Sequence, residues 1–143
     1  MTPFERLKPS IFATESGGDY NALYNYANRA GNPFAGFNLT GMTVDEALEF
    51  ASPSGPYAQY VKGQVGRVAT PMGAYQVVGS TLAEAKKGLG LTGSEMMTED
   101  LQDKIGQWIY KTQGPSAWEG LKGKDMATPF DRAREEELRQ QML

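Results

Sequence analysis

Glycine and proline recur so often in this chain that they favour irregular connections between short helices. The 143 residues include 17 glycines and eight prolines, and both residue types disfavour the interior of a helix. A chain of this length fits one compact domain with a single core. The sequence therefore predicts several short helices joined by irregular connections.

Apolar residues at helical spacing mark the first helix. Phe4, Leu7, Ile11 and Phe12 recur at positions that share one helix face. The pattern stops at the polar and glycine-rich run 15–20, which predicts that the helix ends there.

The rest of the chain also divides into short predicted helices and loops. Residues 21–40 are rich in Asn, Gly, Tyr and Phe without helical periodicity, which favours loops and a small, irregular β-hairpin. Thr43 and Glu46 have the spacing of a capping box, which opens a short helix. Further helices are predicted at 57–61, from a Ser80 cap to Gly88, and from Thr98 onward, where Leu101, Ile105, Trp108 and Ile109 share one face. Two more helices are predicted at 116–121 and in a charged tail at 130–143, and an exposed loop is predicted at 63–70. We place a domain boundary between residues 1–125 and the tail, 126–143.

The absence of two residue types limits the possible chemistry. The chain has no cysteine and no histidine, which excludes disulfides, thiolate and histidine metal sites, and Ser-His-Asp or Cys-His catalysis. A catalyst would have to use carboxylates, lysine, tyrosine, hydroxyls or backbone amides, and we expect no metal and no cofactor. The net charge of −3 gives no basic footprint for nucleic acid.

The chain also lacks the usual targeting signals. Residues 1–8 contain no apolar core of a secretory signal, and no stretch reaches the roughly 20 apolar residues of a membrane-spanning helix. We therefore expect a protein that is made in the cytoplasm without a signal peptide and does not insert into membranes.

Glu15 is the strongest candidate for a catalytic residue. A carboxylate at the C-terminal end of a helix meets the negative end of the helix dipole, and desolvation by neighbours such as Phe12 would also raise its pKa. Both effects favour the protonated form that a general acid requires. The alternative interpretation is a solvated charge at a helix end.

Two further features could contact a ligand. In the segment from Gly73 to Gln76, glycine allows close backbone approach, and Tyr75 and Gln76 offer a ring face and an amide. The alternative is a buried tyrosine beside an exposed glutamine. Several aromatic residues fall in predicted loops, where their faces could bind sugars, whereas Trp108 is expected in the core.

Four collinear segments within residues 10–122 resemble one protein family. Residues 15–18, Glu-Ser-Gly-Gly, resemble the segment in lytic transglycosylases and phage lysozymes in which the glutamate ending the first helix is the acid. Residues 39–47, LTGMTVDEA, are similar to a run in phage lysozyme-like proteins, and residues 70–82 contain the G-x-Y-Q-V element that is also found in lambda-type endolysins. The Gly90-Leu91 pair and the Gln102-Asp103 pair match the usual continuation into a core helix.

The resemblance implies a lysozyme-like fold, which is mainly helical with an α+β character, and a cleft between the glutamate-bearing helix and the Tyr-Gln segment. Glu15 would be the catalytic acid. Substrate contacts are expected from Ser16, Asp19, Tyr20, Tyr57, Gly73, Tyr75 and Gln76. Many relatives carry Arg or Lys where this chain has Ala74, so we expect that contact to be missing or to be supplied by Arg67.

The expected reaction is cleavage of the β-1,4 bond between N-acetylmuramic acid and N-acetylglucosamine in peptidoglycan. One carboxylate suffices if the sugar's own C6 hydroxyl attacks, as in lytic transglycosylases. A water-using muramidase would need a second carboxylate, for which Asp19 is the candidate, because capping better explains Asp45 and Glu46. The alternatives are a non-catalytic glycan-binding or virion module and a small helical regulator.

The resemblance also sets the expected biological setting. The expected partners are peptidoglycan strands. In a phage, the protein would also bind other virion proteins or be exported by a holin-dependent route. The protein would act as a monomer in the periplasm and cell wall, or within a phage particle.

Overall fold

The computed structural model describes residues 2–114 together with residues 117 and 118. The described residues form five α-helices: α1 (Pro3–Glu15), α2 (Val44–Phe50), α3 (Pro56–Val65), α4 (Gly79–Gly88) and α5 (Glu99–Gln113). Two short 3₁₀ turns, Tyr24–Tyr26 and Leu39–Gly41, lie between α1 and α2. The predicted mainly helical class is confirmed. The predicted tail helix, the domain boundary and most of the helix at 116–121 lie outside the described residues.

The first helix begins and ends where the sequence predicts. The hydroxyl of Thr2 accepts a hydrogen bond from the backbone N–H of Glu5, 3.1 Å away, and Pro3 occupies the first helical position, where its missing N–H costs nothing. The chain leaves the helix after Glu15, and Gly17 then adopts a left-handed φ of +68°. Glu15 is therefore the last residue of α1.

Side-chain caps explain the starts of α2 and α5, and the start predicted for α4 needs one correction. Thr43 forms the predicted capping box of α2, and Thr98 caps α5 through its hydroxyl. The predicted Ser80 cap is wrong, because α4 already begins at Gly79. The hydroxyl of Thr70 instead accepts from the backbone N–H of Gly79 at 2.9 Å, so a residue from outside the helix satisfies its first donor.

Helix α3 is longer than predicted. It starts at Pro56 and runs to Val65, and the left-handed Gly66, with a φ of +82°, ends it. Gly63 is helical because one glycine costs a helix only about 1 kcal/mol relative to alanine. The predicted loop at 63–70 therefore begins at Gly66.

The predicted β-hairpin within residues 21–40 is wrong. These residues form successive turns held by local backbone bonds, such as Ala27 N–H to the Tyr24 carbonyl. Asn25 and Tyr26 both have left-handed φ angles, 57° and 55°, which are incompatible with a strand. Leu23 does form a single antiparallel bridge, but its partner is Met72, which also bridges to Val77.

Helix α5 supplies much of the core. Its residues Ile105, Ile109 and Tyr110 are buried, and α4 packs against both α2 and α5. Gly106 lets α5 lie directly against the ring of Tyr75, since an added Cβ would be 2.8 Å from that ring. The described part of the chain contains no helix with both the length and the apolar character needed to cross a lipid bilayer.

Candidate active site

Glu15 lies on the wall of an open cleft with a volume of about 440 Å³. This volume falls within the range typical of ligand pockets. The described residues that line the cleft are Glu15, Tyr24, Val61, Val65, Arg67, Ala69, Pro71, Gln76, Val78, Ala117 and Trp118. The cleft therefore joins the end of α1 to the segment after Met72 and to one side of α3.

The cleft brings together a few polar groups of different chemistry. Among its described lining residues, Glu15 is the one carboxylate and Arg67 the one cation. Gln76 adds an amide and Tyr24 a half-buried aromatic ring, whereas the Trp118 side chain, which also lines the cleft, is buried. An acid, an amide oxygen and one ring face on an apolar wall suit a sugar polymer, which is bound through hydroxyl groups and the faces of its rings.

Gln76 occupies a constrained position in this cleft. Its backbone is left-handed, with a φ of 49°, a conformation that costs free energy in a residue with a side chain. The side-chain nitrogen donates to the carbonyls of Ala22 and Gly73, at 3.0 and 2.9 Å. Both amide protons are thus committed, and the orientation of the amide in the cleft is fixed.

Tyr20 and Tyr75, both predicted to contact substrate, are hydrogen-bonded to Asp103. Their hydroxyls donate to the same carboxylate oxygen at 2.7 and 2.8 Å, and Lys8 binds the other oxygen at 3.0 Å. Tyr75 is buried, and burial together with the hydrogen bond to Asp103 raises the pKa of its hydroxyl. Neither tyrosine is among the lining residues of the Glu15 cleft.

Tyr57 is likewise a core residue. Its side chain is fully buried, and its hydroxyl donates to the Pro71 carbonyl and accepts from the Tyr24 backbone N–H. Burial raises the pKa of this hydroxyl. Tyr57 lies outside the described lining of the cleft, and its hydroxyl positions Tyr24 and Pro71, which do line it; the substrate contact expected of Tyr57 stays a prediction.

Ser16 and Asp19 hold the loop that follows Glu15. The Ser16 hydroxyl is buried and accepts from the Gly18 N–H at 3.1 Å. The two oxygens of Asp19 accept from the Asn21 backbone at 2.8 Å and from the Asn28 amide at 3.1 Å. Both residues lie outside the described lining of the cleft, so Asp19 is not placed as a second catalytic carboxylate.

Gly73 is required by packing. It has a left-handed φ of +80°, and an added Cβ would be 2.3 Å from the side-chain oxygen of Gln102. The close approach that its glycine character predicted is therefore made by a protein side chain. Ala74 is also buried, so a cationic side chain at that position would have no route to the cleft without rearrangement.

Sequence reasoning did not identify Gln102 and Asp103 as organising residues, although both belong to the fourth resembling segment. Gln102 is buried and donates to the carbonyls of Tyr20 and Met97, both at 3.0 Å, while its oxygen accepts from the Ala74 N–H at 3.1 Å. The sequence did carry a signal for Gln102, because this polar residue stands at a position of α5 where the helical spacing places buried apolar side chains. Gln102 and Asp103 thereby join the segment after Glu15 to the Gly73–Gln76 turn.

Of the residues singled out in the sequence analysis, Glu15, Gln76 and Arg67 line the cleft. Arg67, proposed as a substitute for a missing cation, lines it, and Trp118 packs with its indole N–H donating to the Tyr75 carbonyl at 3.0 Å. Trp108, expected in the core, is half-buried against Gly88.

No family model matches the chain, and neither a curated protein nor a solved structure matches it. The resemblance to lysozymes and lytic transglycosylases therefore rests on the four sequence segments, and it stays a prediction.

Proposed function

We propose that this protein cleaves the glycan strands of peptidoglycan between N-acetylmuramic acid and N-acetylglucosamine, with Glu15 as the catalytic acid. The observation that carries the proposal is the position of Glu15, which ends α1 on the wall of a cleft that also holds Gln76. The resemblance implies this same pairing of a helix-ending glutamate with a Tyr-Gln segment.

The arrangement of the four resembling segments supports a lysozyme-like fold as part of this proposal. Gln102 and Asp103 from the last segment bind Tyr20 after the first segment and Ala74 and Tyr75 in the third. Leu39 of the second segment lies against Gly73, whose added Cβ would be 3.0 Å away. Segments that are distant in sequence thus meet in one place, as parts of a common site would.

In the proposed reaction, Glu15 first gives its proton to the oxygen of the scissile bond as that bond breaks. The resulting carboxylate then takes the proton from the C6 hydroxyl of the same muramic acid, and that oxygen bonds to C1. The product has a 1,6-anhydro ring, and Glu15 is again protonated. The predicted protonation of Glu15 in the resting enzyme stays a prediction.

The transglycosylase reaction fits this cleft better than hydrolysis. Hydrolysis typically uses two carboxylates about 5–10 Å apart across the bond, whereas Glu15 is the one carboxylate among the described lining residues. Asp19, the candidate for a second, is committed to the N–H donors of Asn21 and Asn28. We therefore place the water-using muramidase second.

The proposal extends to where the protein works. Peptidoglycan would be met in the periplasm and cell wall, after export through a holin-dependent route or delivery within a phage particle. In that setting the protein would act as a monomer.

Loss of turbidity of permeabilised Gram-negative cells tests the proposal. The wild type should lyse the cells, and Glu15→Gln should lower the lytic rate by at least about a hundredfold, the usual contribution of a general acid. Glu5→Gln makes the same chemical change on an exposed residue of the same helix and should keep the wild-type rate. A wild type that binds peptidoglycan but does not lyse cells would point to the non-catalytic module instead.

A further inference from the structure

Asp103 joins two segments of the chain that carry the groups of the Glu15 cleft. One of its oxygens accepts hydrogen bonds from the hydroxyls of Tyr20 and Tyr75, at 2.7 and 2.8 Å. Tyr20 belongs to the loop that follows Glu15, and Tyr75 directly precedes Gln76. Asp103 is not among the described lining residues of the cleft, so any effect that it has on the cleft passes through its partners.

Phe12 carries this link into the last turns of α1. Its ring packs edge-on against the rings of Tyr20 and Tyr75, with centroids 5.6 and 5.1 Å apart, and such pairs stabilise beyond the area that they bury. Lys8, one turn earlier on α1, places its ammonium 5.3 Å from the centroid of the Phe12 ring and binds the second oxygen of Asp103 at 3.0 Å. The proposed acid follows Phe12 by three residues, so the contacts that hold this ring also hold the helix end that carries the acid.

The Ala22 carbonyl joins the loop that contains Tyr20 to the turn that carries Gln76. It accepts from the backbone N–H of Gly73 at 2.8 Å and from the side-chain amide of Gln76 at 3.0 Å. Ala22 lies two residues after Tyr20, so this carbonyl and the carboxylate of Asp103 hold the same two segments together. A shift of the loop would therefore move the Gln76 amide relative to the acid that ends α1.

We propose that Asp103 is a positioning residue, which keeps Glu15 and Gln76 at their working separation through the two tyrosines. The inference rests on the proposed function, in which Glu15 is the acid. A carboxylate suits this role because hydrogen bonds to an ionised acceptor are about twice as strong as neutral ones. A misplacement of about 1 Å in a catalytic group can cost about a hundredfold in rate. Since Asp103 lies outside the described lining of the cleft, its loss should lower kcat far more than it raises KM.

Kinetics on soluble peptidoglycan strands test the role of the carboxylate. Asp103→Ala removes the acceptor and should lower kcat by about tenfold or more, while KM changes by less than about twofold. Asp103→Asn keeps an oxygen for the tyrosine hydroxyls and should lose less of kcat. Thr43→Ala, which destabilises α2 by removing its cap, should keep the wild-type kcat. An unchanged kcat in Asp103→Ala, or equal losses in the two Asp103 variants, would overturn the proposal.

Hydrogen exchange tests the same link without any substrate. The backbone N–H of Gly73 exchanges when its bond to the Ala22 carbonyl opens, so its exchange rate reports the separation of the two segments. In Asp103→Ala this rate should rise by about tenfold or more, the usual worth of one hydrogen bond to a charged group. The N–H of Val44 also binds the carbonyl of a distant residue, Glu95, at 2.9 Å, and it should exchange at the wild-type rate. Equal acceleration at both amides would show a general loss of stability and would contradict the positioning role.

Tyr20→Phe repeats the test in a milder form, because it removes one of the two tyrosine bonds and leaves the carboxylate in place. It should accelerate exchange at Gly73 by a smaller factor than Asp103→Ala. Faster exchange at Gly73 with no glycan cleavage by the wild type would reject the catalytic proposal and keep Asp103 as the residue that holds the two segments together. Cleavage by the wild type with unchanged exchange at Gly73 in both variants would reject the positioning role alone.

Discussion

Replacing Gln102 with methionine should destabilise the protein strongly. Methionine has nearly the same length, but it neither donates nor accepts the hydrogen bonds that the glutamine amide makes. The change leaves the carbonyls of Tyr20 and Met97 and the N–H of Ala74 without their present partner.

The structure sets the size of the effect. Gln102 is only 4% exposed, so water cannot readily replace the lost bonds. Each buried polar group left unpaired costs about 1–3 kcal/mol, and the apolar packing of methionine offsets part of the total. We therefore expect a loss of about 3 kcal/mol, which is a large share of the roughly 5–15 kcal/mol that stabilises a typical domain.

Urea unfolding followed by circular dichroism measures this loss. With a slope of about 1–3 kcal/mol per molar urea, the midpoint should fall by about 1–3 M. Gln64→Met makes the same substitution on the exposed face of α3 and should change stability by less than about 0.5 kcal/mol. If the two variants unfolded at similar urea concentrations, the role assigned to Gln102 would be refuted.

Three further predictions concern caps, packing and pH. Thr43→Ala removes the α2 cap and should cost about 1 kcal/mol in urea unfolding. Gly106→Ala forces a methyl group against the Tyr75 ring and should lower the free energy of unfolding by about 1–3 kcal/mol. Gly63→Ala adds a methyl group in open space on α3 and should raise the free energy of unfolding by up to about 1 kcal/mol. A Gly106→Ala protein more stable than Gly63→Ala would contradict the packing. Burial raises the pKa of Tyr57 and Tyr75 above the ordinary 10.0, so the folded state keeps its protons while the unfolded chain ionises. These two hydroxyls should therefore not affect the unfolding free energy below that pH, and above it each should lower the unfolding free energy by about 1.4 kcal/mol per pH unit. Tyr75→Phe should make the slope shallower by the contribution of one tyrosine.

The helices were predictable because their signals are local. Apolar spacing from Phe4 to Phe12 fixed α1 and placed Glu15 at its end, and the threonine caps fixed the starts of α2 and α5. Such signals depend on residues three or four positions apart, which one sequence displays directly.

The contacts between distant residues were not predictable. Tyr57 and Tyr75 have the same side chain as Tyr24, yet only Tyr24 lines the cleft. Burial by neighbours far away in sequence decides the difference, and the residue type does not reveal it. The predicted hairpin is absent for a local reason, because the left-handed backbone at Asn25 and Tyr26 favours turns over strand pairing.

The central claim is that Glu15 alone acts as acid and base in forming an anhydro product. Purified Gram-negative peptidoglycan should be digested with the wild type and with Glu15→Gln, and the released muropeptides should be analysed by mass spectrometry. We predict products lighter by one water than the hydrolysis products, formed by the wild type and not by Glu15→Gln. Reducing-end products would contradict the one-carboxylate mechanism, and anhydro products made equally well by Glu15→Gln would contradict the assignment of Glu15.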